Sequence, residues 1–174
     1  PDLLTGFGNR LYNWEFMVGV QQQLAPRIGL DVAYYRRTFG NLQATDNRAL
    51  GPEDFDQYSI VVPGNTNPNA PNPDNVGETI TGLYNIKQAA AGRAFDLYQT
   101  LASKIGTQVE QWDGIDVNLS ARLAALTLMG GFQCGSQLTD NCDISAKLPE
   151  TNGGAIGATL SGTVTAQQYC RIKE

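Results

Sequence analysis

Residues 12–24, YNWEFMVGVQQQL, decide the fold, because their apolar and polar side chains alternate. In an extended chain, successive side chains point to opposite sides. One side of this stretch therefore carries its large apolar members, Trp14, Phe16, Val18 and Val20. A period of two is typical of a strand with one apolar and one polar face, so this stretch is predicted to form such a strand.

The same alternation recurs in three further stretches, residues 28–38, 107–122 and 126–136. Only residues 25–27 separate the first two strands, and a similarly short connection near residues 123–125 separates the last two. Tight connections of this kind join antiparallel neighbours. The four stretches are therefore predicted to form two antiparallel hairpins.

Two long polar stretches, residues 39–106 and 137–174, are predicted to be loops. Residues 64–75, GNTNPNAPNPDN, are too rich in asparagine and proline for a regular element. Three segments of the first loop are compatible with short elements, namely strands at 59–62 and 78–84 and a helix at 88–103.

The composition excludes several classes of function. Seventeen acidic and twelve basic residues leave a net charge of -5, which argues against a nucleic-acid binder. The absence of histidine removes Ser–His and Cys–His nucleophile pairs and imidazole metal ligands. The cysteines, at positions 134, 142 and 170, are too far apart for a zinc ribbon or a CxxC redox motif. We therefore expect no catalytic residues, no metal and no cofactor.

Short connections at one end of the strands and long loops at the other are typical of transmembrane β-barrels. On this interpretation the chain is a single partial barrel segment, residues 1–174, with long extracellular loops. The apolar strand faces would then contact lipid through Trp14, Val18, Leu30, Val32, Val117, Leu119 and Leu128. A soluble β-sandwich is the alternative, because its strands alternate just as well. Both interpretations predict an all-β fold.

A set of uncommon strings occurs in order along the chain: YNWEFMVGV (12–20), LAPR (24–27), DVAYYRR (31–37), FGNLQATDN (39–47), GLYN (82–85), VEQWDGIDVNLSA (109–121) and TDNCD (139–143). In order and spacing, these strings resemble the barrel portion of TonB-dependent outer-membrane receptors. The resemblance is to the Oar-like group that bears a carboxypeptidase-regulatory domain. It covers most of residues 1–143 and weakens from about Glu150 onward.

The resemblance implies nutrient uptake across a bacterial outer membrane through a plugged barrel of about 22 strands, energised through TonB. Four predicted spanning strands are too few, since the smallest single-chain membrane barrels have about eight. We therefore expect the chain to be a segment of a receptor. Its partners would be outer-membrane lipid, the plug and other strands of the same receptor, and TonB, which regions absent here would contact.

The resemblance also implies a disulfide between Cys142 and Cys170, because the family often carries a cysteine pair in equivalent strings. An oxidising location permits this bond, and three free thiols are the alternative. Cys134 is in phase with Phe132 and is expected to be a small packed residue.

Four aromatic residues are candidates for stacking on a ligand such as a sugar ring: Tyr58, Tyr84, Tyr98 and Trp112. Packing of the loops against each other is the alternative role. If the fold is the soluble sandwich, the chain is expected to be a secreted binding or structural module, with carbohydrate as one candidate ligand.

Overall fold

A computed structural model of the chain describes residues 3, 6–64, 75–151 and 167–174. It is mostly antiparallel β-sheet with little helix, which confirms the predicted all-β fold. The asparagine- and proline-rich loop predicted from the sequence falls largely on residues 65–74, outside the described residues. In the described part of the chain, no helix is long and apolar enough to cross a membrane.

The strands assigned in the described ranges are β1 (Tyr12–Ala25), β2 (Ile28–Gly40), β3 (Gln43–Asn47), β4 (Phe55–Val61), β5 (Thr79–Ile86), β6 (Leu97–Leu101), β7 (Val109–Leu123), β8 (Leu126–Asp140) and β9 (Arg171–Lys173). A six-residue helix, α1, spans Cys142–Lys147. Short 3-10 turns lie at Pro52–Asp54, Ala102–Lys104, Pro149–Thr151 and Gln167–Tyr169.

The chain was expected to be a single barrel segment. In the structure, its residues form two compact units. The strand unit comprises Leu11–Asn41, Val109–Asp140 and Ile172–Glu174. The remainder, Pro1–Arg10, Leu42–Gln108 and Asn141–Arg171, is the loop unit.

The strand unit is built on one open sheet with the strand order β1-β2-β7-β8-β9. Its four long strands have 13 to 15 residues each and form two antiparallel hairpins. Both hairpin turns contain a residue with positive φ, 68° at Arg27 and 48° at Ala124. A positive φ at one of the two central residues is common in tight turns.

The register of these strands places their apolar side chains on the same side of the sheet. One row, for example, holds Val20, Val32, Val117 and Phe132 side by side. Because side chains alternate, the opposite side carries the polar members of each strand. We refer to the two sides as the apolar face and the polar face.

The loop unit contains two small sheets, β3–β6 and β4–β5, where the sequence analysis predicted a long loop. Its core is small: Ala44, Ala102, Ile144 and Leu148 form one cluster, and Phe55 is the buried centre of another.

The helix predicted at residues 88–103 is wrong. Residues Leu97–Leu101 form strand β6, which pairs with β3, and Ala102–Lys104 form a 3-10 turn. Gly92 has a φ of 83°, a conformation that a right-handed helix does not contain. The short strands predicted at 59–62 and 78–84 correspond to β4 and β5, which are longer.

The disulfide between Cys142 and Cys170 is present in the loop unit, with the two Cα atoms 4.8 Å apart. It joins the start of α1 to the segment that follows the last 3-10 turn. Cys134, in contrast, is a free and exposed thiol beside Ile115 in the strand unit. The expectation of a packed Cys134 is wrong because the residue lies on the apolar face, which is exposed.

Candidate functional site

The apolar face of the strand unit is the most distinctive surface of that unit. Large side chains on it are open to the surroundings, with exposed fractions of 72% for Trp14, 64% for Val20 and 62% for Phe132. All the residues predicted to contact lipid lie on this face: Trp14, Val18, Leu30, Val32, Val117, Leu119 and Leu128. The structure thus brings the whole predicted set together on one side of a single sheet.

The apolar face extends over a defined length of the strands. In β2 it runs from Ile28 to Tyr34, seven residues in which every second side chain is apolar or aromatic. At about 3.3 Å per residue this corresponds to roughly 20 Å. Leu123 and Leu126, at the turn between β7 and β8, extend it further.

A hydrogen-bonded group of polar side chains marks one end of the apolar face. Tyr34 Oη donates to Asp113 Oδ1 at 2.5 Å, and Gln111 Nε2 donates to Asp113 Oδ2 at 2.6 Å. Arg36 Nη2 donates to Gln111 Oε1 at 2.6 Å, and its Nη1 lies 3.6 Å from Asp113 Oδ1. The carboxylate of Asp113 therefore accepts two hydrogen bonds and forms an ion pair with Arg36.

The polar face has a different chemistry. Arg37 pairs with Glu15 across β1 and β2 at 2.8 Å, and Gln21 donates a hydrogen bond to Asp31. An open cavity of about 680 Å³ is lined mainly by polar-face residues such as Asp31 and Asn118. This side of the sheet is therefore suited to contact with water or with polar groups.

Trp112 lies on the polar face, against two glycines. A methyl group added at Gly114 would lie 2.1 Å from the indole ring, and one added at Gly135 would lie 2.7 Å from it. The ring therefore occupies the space that side chains at these two positions would need. Trp14 and Trp112, the two tryptophans of the chain, are on opposite faces of the same sheet.

The other candidate stacking residues lie on the small sheets of the loop unit. Tyr84 packs against Phe55, while Tyr58 is 40% exposed and occupies the opposite face of the β4–β5 pair. Tyr98 lies on β6 with the Arg48 guanidinium 4.8 Å above its ring. The four aromatic residues are thus distributed over three sheets and do not share one stacking surface.

Two aspartates of the loop unit each accept a backbone hydrogen bond and form an ion pair. Asp54 accepts a hydrogen bond from the Gly51 amide at 3.0 Å and pairs with Arg93 at 2.8 Å, and these contacts, led by the amide, lower the pKa of Asp54. Asp143 accepts from the Thr107 amide at 2.7 Å and pairs with Lys147, which lowers the pKa of Asp143 in the same way. Within the described ranges, no group of three or more His, Cys, Asp or Glu side chains is placed to hold a metal ion.

Glu150 is a buried acid that the sequence analysis did not single out. Its residue is 5% exposed, and its Oε1 accepts a hydrogen bond from the Asn47 amide at 3.3 Å. Burial raises the pKa of Glu150, and the nearby charge of Asp46 acts in the same direction. No local pattern signals this burial, because Asn47 is 103 residues away along the chain.

Comparisons with protein-family models, with curated proteins and with solved structures found no match to this chain.

Proposed function

We propose that the strand unit is a membrane-spanning part of a TonB-dependent receptor in a bacterial outer membrane. In this proposal the apolar face contacts lipid acyl chains, the polar face lines the interior of the barrel, and the loop unit belongs to the extracellular loops. The receptor as a whole would import a nutrient, with energy supplied through TonB. The single observation that carries the proposal is the exposed apolar face on four aligned strands.

An apolar surface of this extent is unfavourable in water. Soluble monomers rarely expose contiguous apolar patches larger than a few hundred Å², and larger ones mark contacts with protein or membrane. In β8 the apolar face runs from Leu126 to Cys134, nine residues, which is within the range of about 9–11 residues that a tilted strand uses to cross a membrane.

The polar face supports the same assignment. Barrel strands alternate between apolar outward residues and polar inward residues, and the long strands of this sheet follow that pattern. A charged pair such as Arg37 and Glu15 is favourable facing a water-filled lumen, whereas it would be costly facing hydrocarbon.

The sheet is open, so the proposal also requires other strands. One long edge of β1 has no partner strand within the described residues, and β8 is covered by β9 only at one end. A membrane barrel closes with about eight strands or more, because unpaired strand edges are not tolerated in hydrocarbon. The remaining strands would come from other parts of the same receptor.

A pair of neighbouring positions on β7 tests the assignment of the faces. Leu119 lies on the apolar face and Asn118 on the polar face. Leu119→Arg is expected to cost about 2–4 kcal/mol near the membrane midplane and to abolish insertion, whereas Asn118→Arg is expected to insert normally. The measurement is the amount of a receptor containing these residues that is recovered in the outer-membrane fraction of expressing cells, for each variant and for the unaltered sequence.

The two variants carry the same new charge on adjacent residues, so each is the control for the other. Equal recovery of both variants in the outer membrane would overturn the assignment of the faces. An unaltered chain that stays in solution, monodisperse and without vesicles, would instead favour the soluble sandwich.

A further inference from the structure

Three aromatic side chains lie on the polar face, near the end where β2 stops at Gly40. Trp112 of β7 is directly opposite Arg37 of β2. Tyr35 and Phe39 lie two residues before and after Arg37, so their side chains are on the same side of the sheet. Diagonal neighbours across two strands are about 7–8 Å apart, which is within reach of aromatic side chains. We call Tyr35, Phe39 and Trp112 the aromatic patch.

The indole ring of Trp112 lies along the sheet. It occupies the space that side chains at Gly114 and Gly135 would need, and Gly114 is buried. Tyr35 is directly opposite Gly114, which places its phenol ring next to the indole. All three rings of the aromatic patch are partly exposed. One face of the indole is therefore covered by backbone, while the other is directed away from the sheet.

Polar groups that donate and accept hydrogen bonds flank the aromatic patch. On β2, Arg37 pairs with Glu15 at 2.8 Å. On β8, Gln137 is directly opposite Trp112. A guanidinium donates hydrogen bonds, a carboxylate accepts them, and an amide does both. This combination suits the hydroxyl groups of a ligand, because a hydroxyl also both donates and accepts.

The charge around the aromatic patch favours a neutral ligand. In the strand unit, all of whose residues are described, the polar-face rows from Ala33 to Phe39 contain one cation, Arg37, which Glu15 balances. Glu110 and Asp116, on the same face of β7, leave a surplus of negative charge that disfavours an anion. A cation is disfavoured over the indole ring, because the guanidinium of Arg37 is opposite that ring.

We propose that the aromatic patch binds a neutral oligosaccharide by stacking, and that such oligosaccharides are the class of nutrient that the receptor imports. This inference rests on the proposed function and names its substrate class. One side of a sugar ring presents C–H groups that pack on an aromatic ring, while the hydroxyls at its edge reach the flanking polar groups. From Tyr35 to Phe39 the patch extends over about 13 Å, at about 3.3 Å per residue, which is longer than one sugar ring.

The test uses Trp112 itself as the reporter. In a Trp14→Phe background, Trp112 is the only tryptophan of the chain. The chain is held in micelles of an oligo-oxyethylene detergent, which carries neither sugar nor charge, and circular dichroism verifies the sheet in each variant. The emission of Trp112 is titrated with maltohexaose, cellohexaose and mannohexaose as neutral probes. Hexagalacturonate is the anionic probe and choline the cationic one.

At least one neutral hexasaccharide is expected to change the emission of Trp112 saturably, whereas hexagalacturonate and choline do not. Tyr35→Ala and Phe39→Ala are each expected to weaken this binding about tenfold through the loss of a stacked ring, while Phe39→Tyr keeps most of it. The matched control is Phe132→Ala, which removes a ring from the apolar face of the same sheet and is expected to leave binding unchanged.

The saccharide site and the membrane assignment fail in different ways. No response to any neutral probe, stronger binding of choline or hexagalacturonate, or equal weakening by Tyr35→Ala and Phe132→Ala would overturn the saccharide site and leave the membrane assignment intact. A chain that stays folded and monodisperse without detergent, and that still binds a neutral probe through Tyr35, would overturn the proposed function and keep the site.

Discussion

Among individual residues, Glu150 has a carboxyl group that the fold keeps away from water, and its raised pKa has a consequence for stability. A raised pKa in the folded state means that folding favours the uncharged acid. This contribution is complete below the ordinary pKa of a glutamate and is lost as the pH rises through the raised value.

Glu150→Gln is therefore expected to increase the free energy of unfolding at neutral pH, because glutamine keeps an acceptor for the Asn47 amide without a charge. The difference from the unaltered chain should shrink as the pH falls toward the ordinary pKa. Urea unfolding at neutral and at acidic pH measures both effects. A variant that is less stable than the unaltered chain at neutral pH would show that the charge of Glu150 is stabilising.

Gly135 is a second residue whose identity the structure explains. A Cβ atom there would lie 2.7 Å from the Trp112 ring and 2.8 Å from the Asp113 carbonyl oxygen. The carbonyl oxygen belongs to the backbone of a paired strand and cannot easily move aside. Gly135→Ala is expected to destabilise the strand unit by about 1–3 kcal/mol through overpacking.

Gly130 is the matched control on the same strand, because an added methyl group there meets nothing within 4 Å. Urea unfolding in detergent micelles compares the two alanine variants. Equal stability of the two would contradict the position of Trp112 against the glycines.

Among the elements, the long strands were predictable and the short ones were less so. The four long strands have enough residues for a period of two to be visible, and that period also assigns each side chain to a face. For this reason the residues of the apolar face were predicted from the sequence. Strands β3 and β6 have five residues each, and Gln43 pairs with Leu101 across more than half of the loop unit, so no local pattern reveals them.

The position of Lys173 could not be predicted for the same physical reason. Alternation places Arg36 on the apolar face, but only the hydrogen bonds between Gln137 and Glu174 place Lys173 there too. Register between strands that are distant in sequence depends on the whole sheet. The same applies to the burial of Glu150 next to Asn47.

The disulfide between Cys142 and Cys170 is expected to stabilise the loop unit. It ties α1 to the segment that ends in Cys170, where Gln168 accepts from the Thr81 amide and Tyr169 donates to Glu78. The two cysteines have a sequence separation of 28, and closing a loop of this length contributes about 3–4 kcal/mol in the chain-entropy model.

Cys170→Ser is expected to destabilise the loop unit by about that amount, about 3–4 kcal/mol, as measured by urea unfolding. Cys134→Ser is the control, because that thiol is free and exposed. A loss of stability in Cys134→Ser as large as in Cys170→Ser would contradict the assigned pairing.

In the molecule as a whole, the two faces of one sheet have opposite chemistry. The apolar face is exposed along four strands, and the polar face carries ion pairs, amides and glycines. Lipid on one side and water on the other would satisfy both faces at once. A soluble sandwich would instead require a second protein layer over the apolar face.

The most direct measurement uses the two tryptophans on these faces. With the chain in micelles of a detergent whose acyl chains are brominated, we predict strong quenching of Trp14 in a Trp112→Phe variant and little quenching of Trp112 in a Trp14→Phe variant. This result would show that the apolar face contacts acyl chains while the polar face does not. Equal quenching of the two tryptophans, or no quenching of Trp14, would show that the apolar face is not the side of the sheet that contacts lipid.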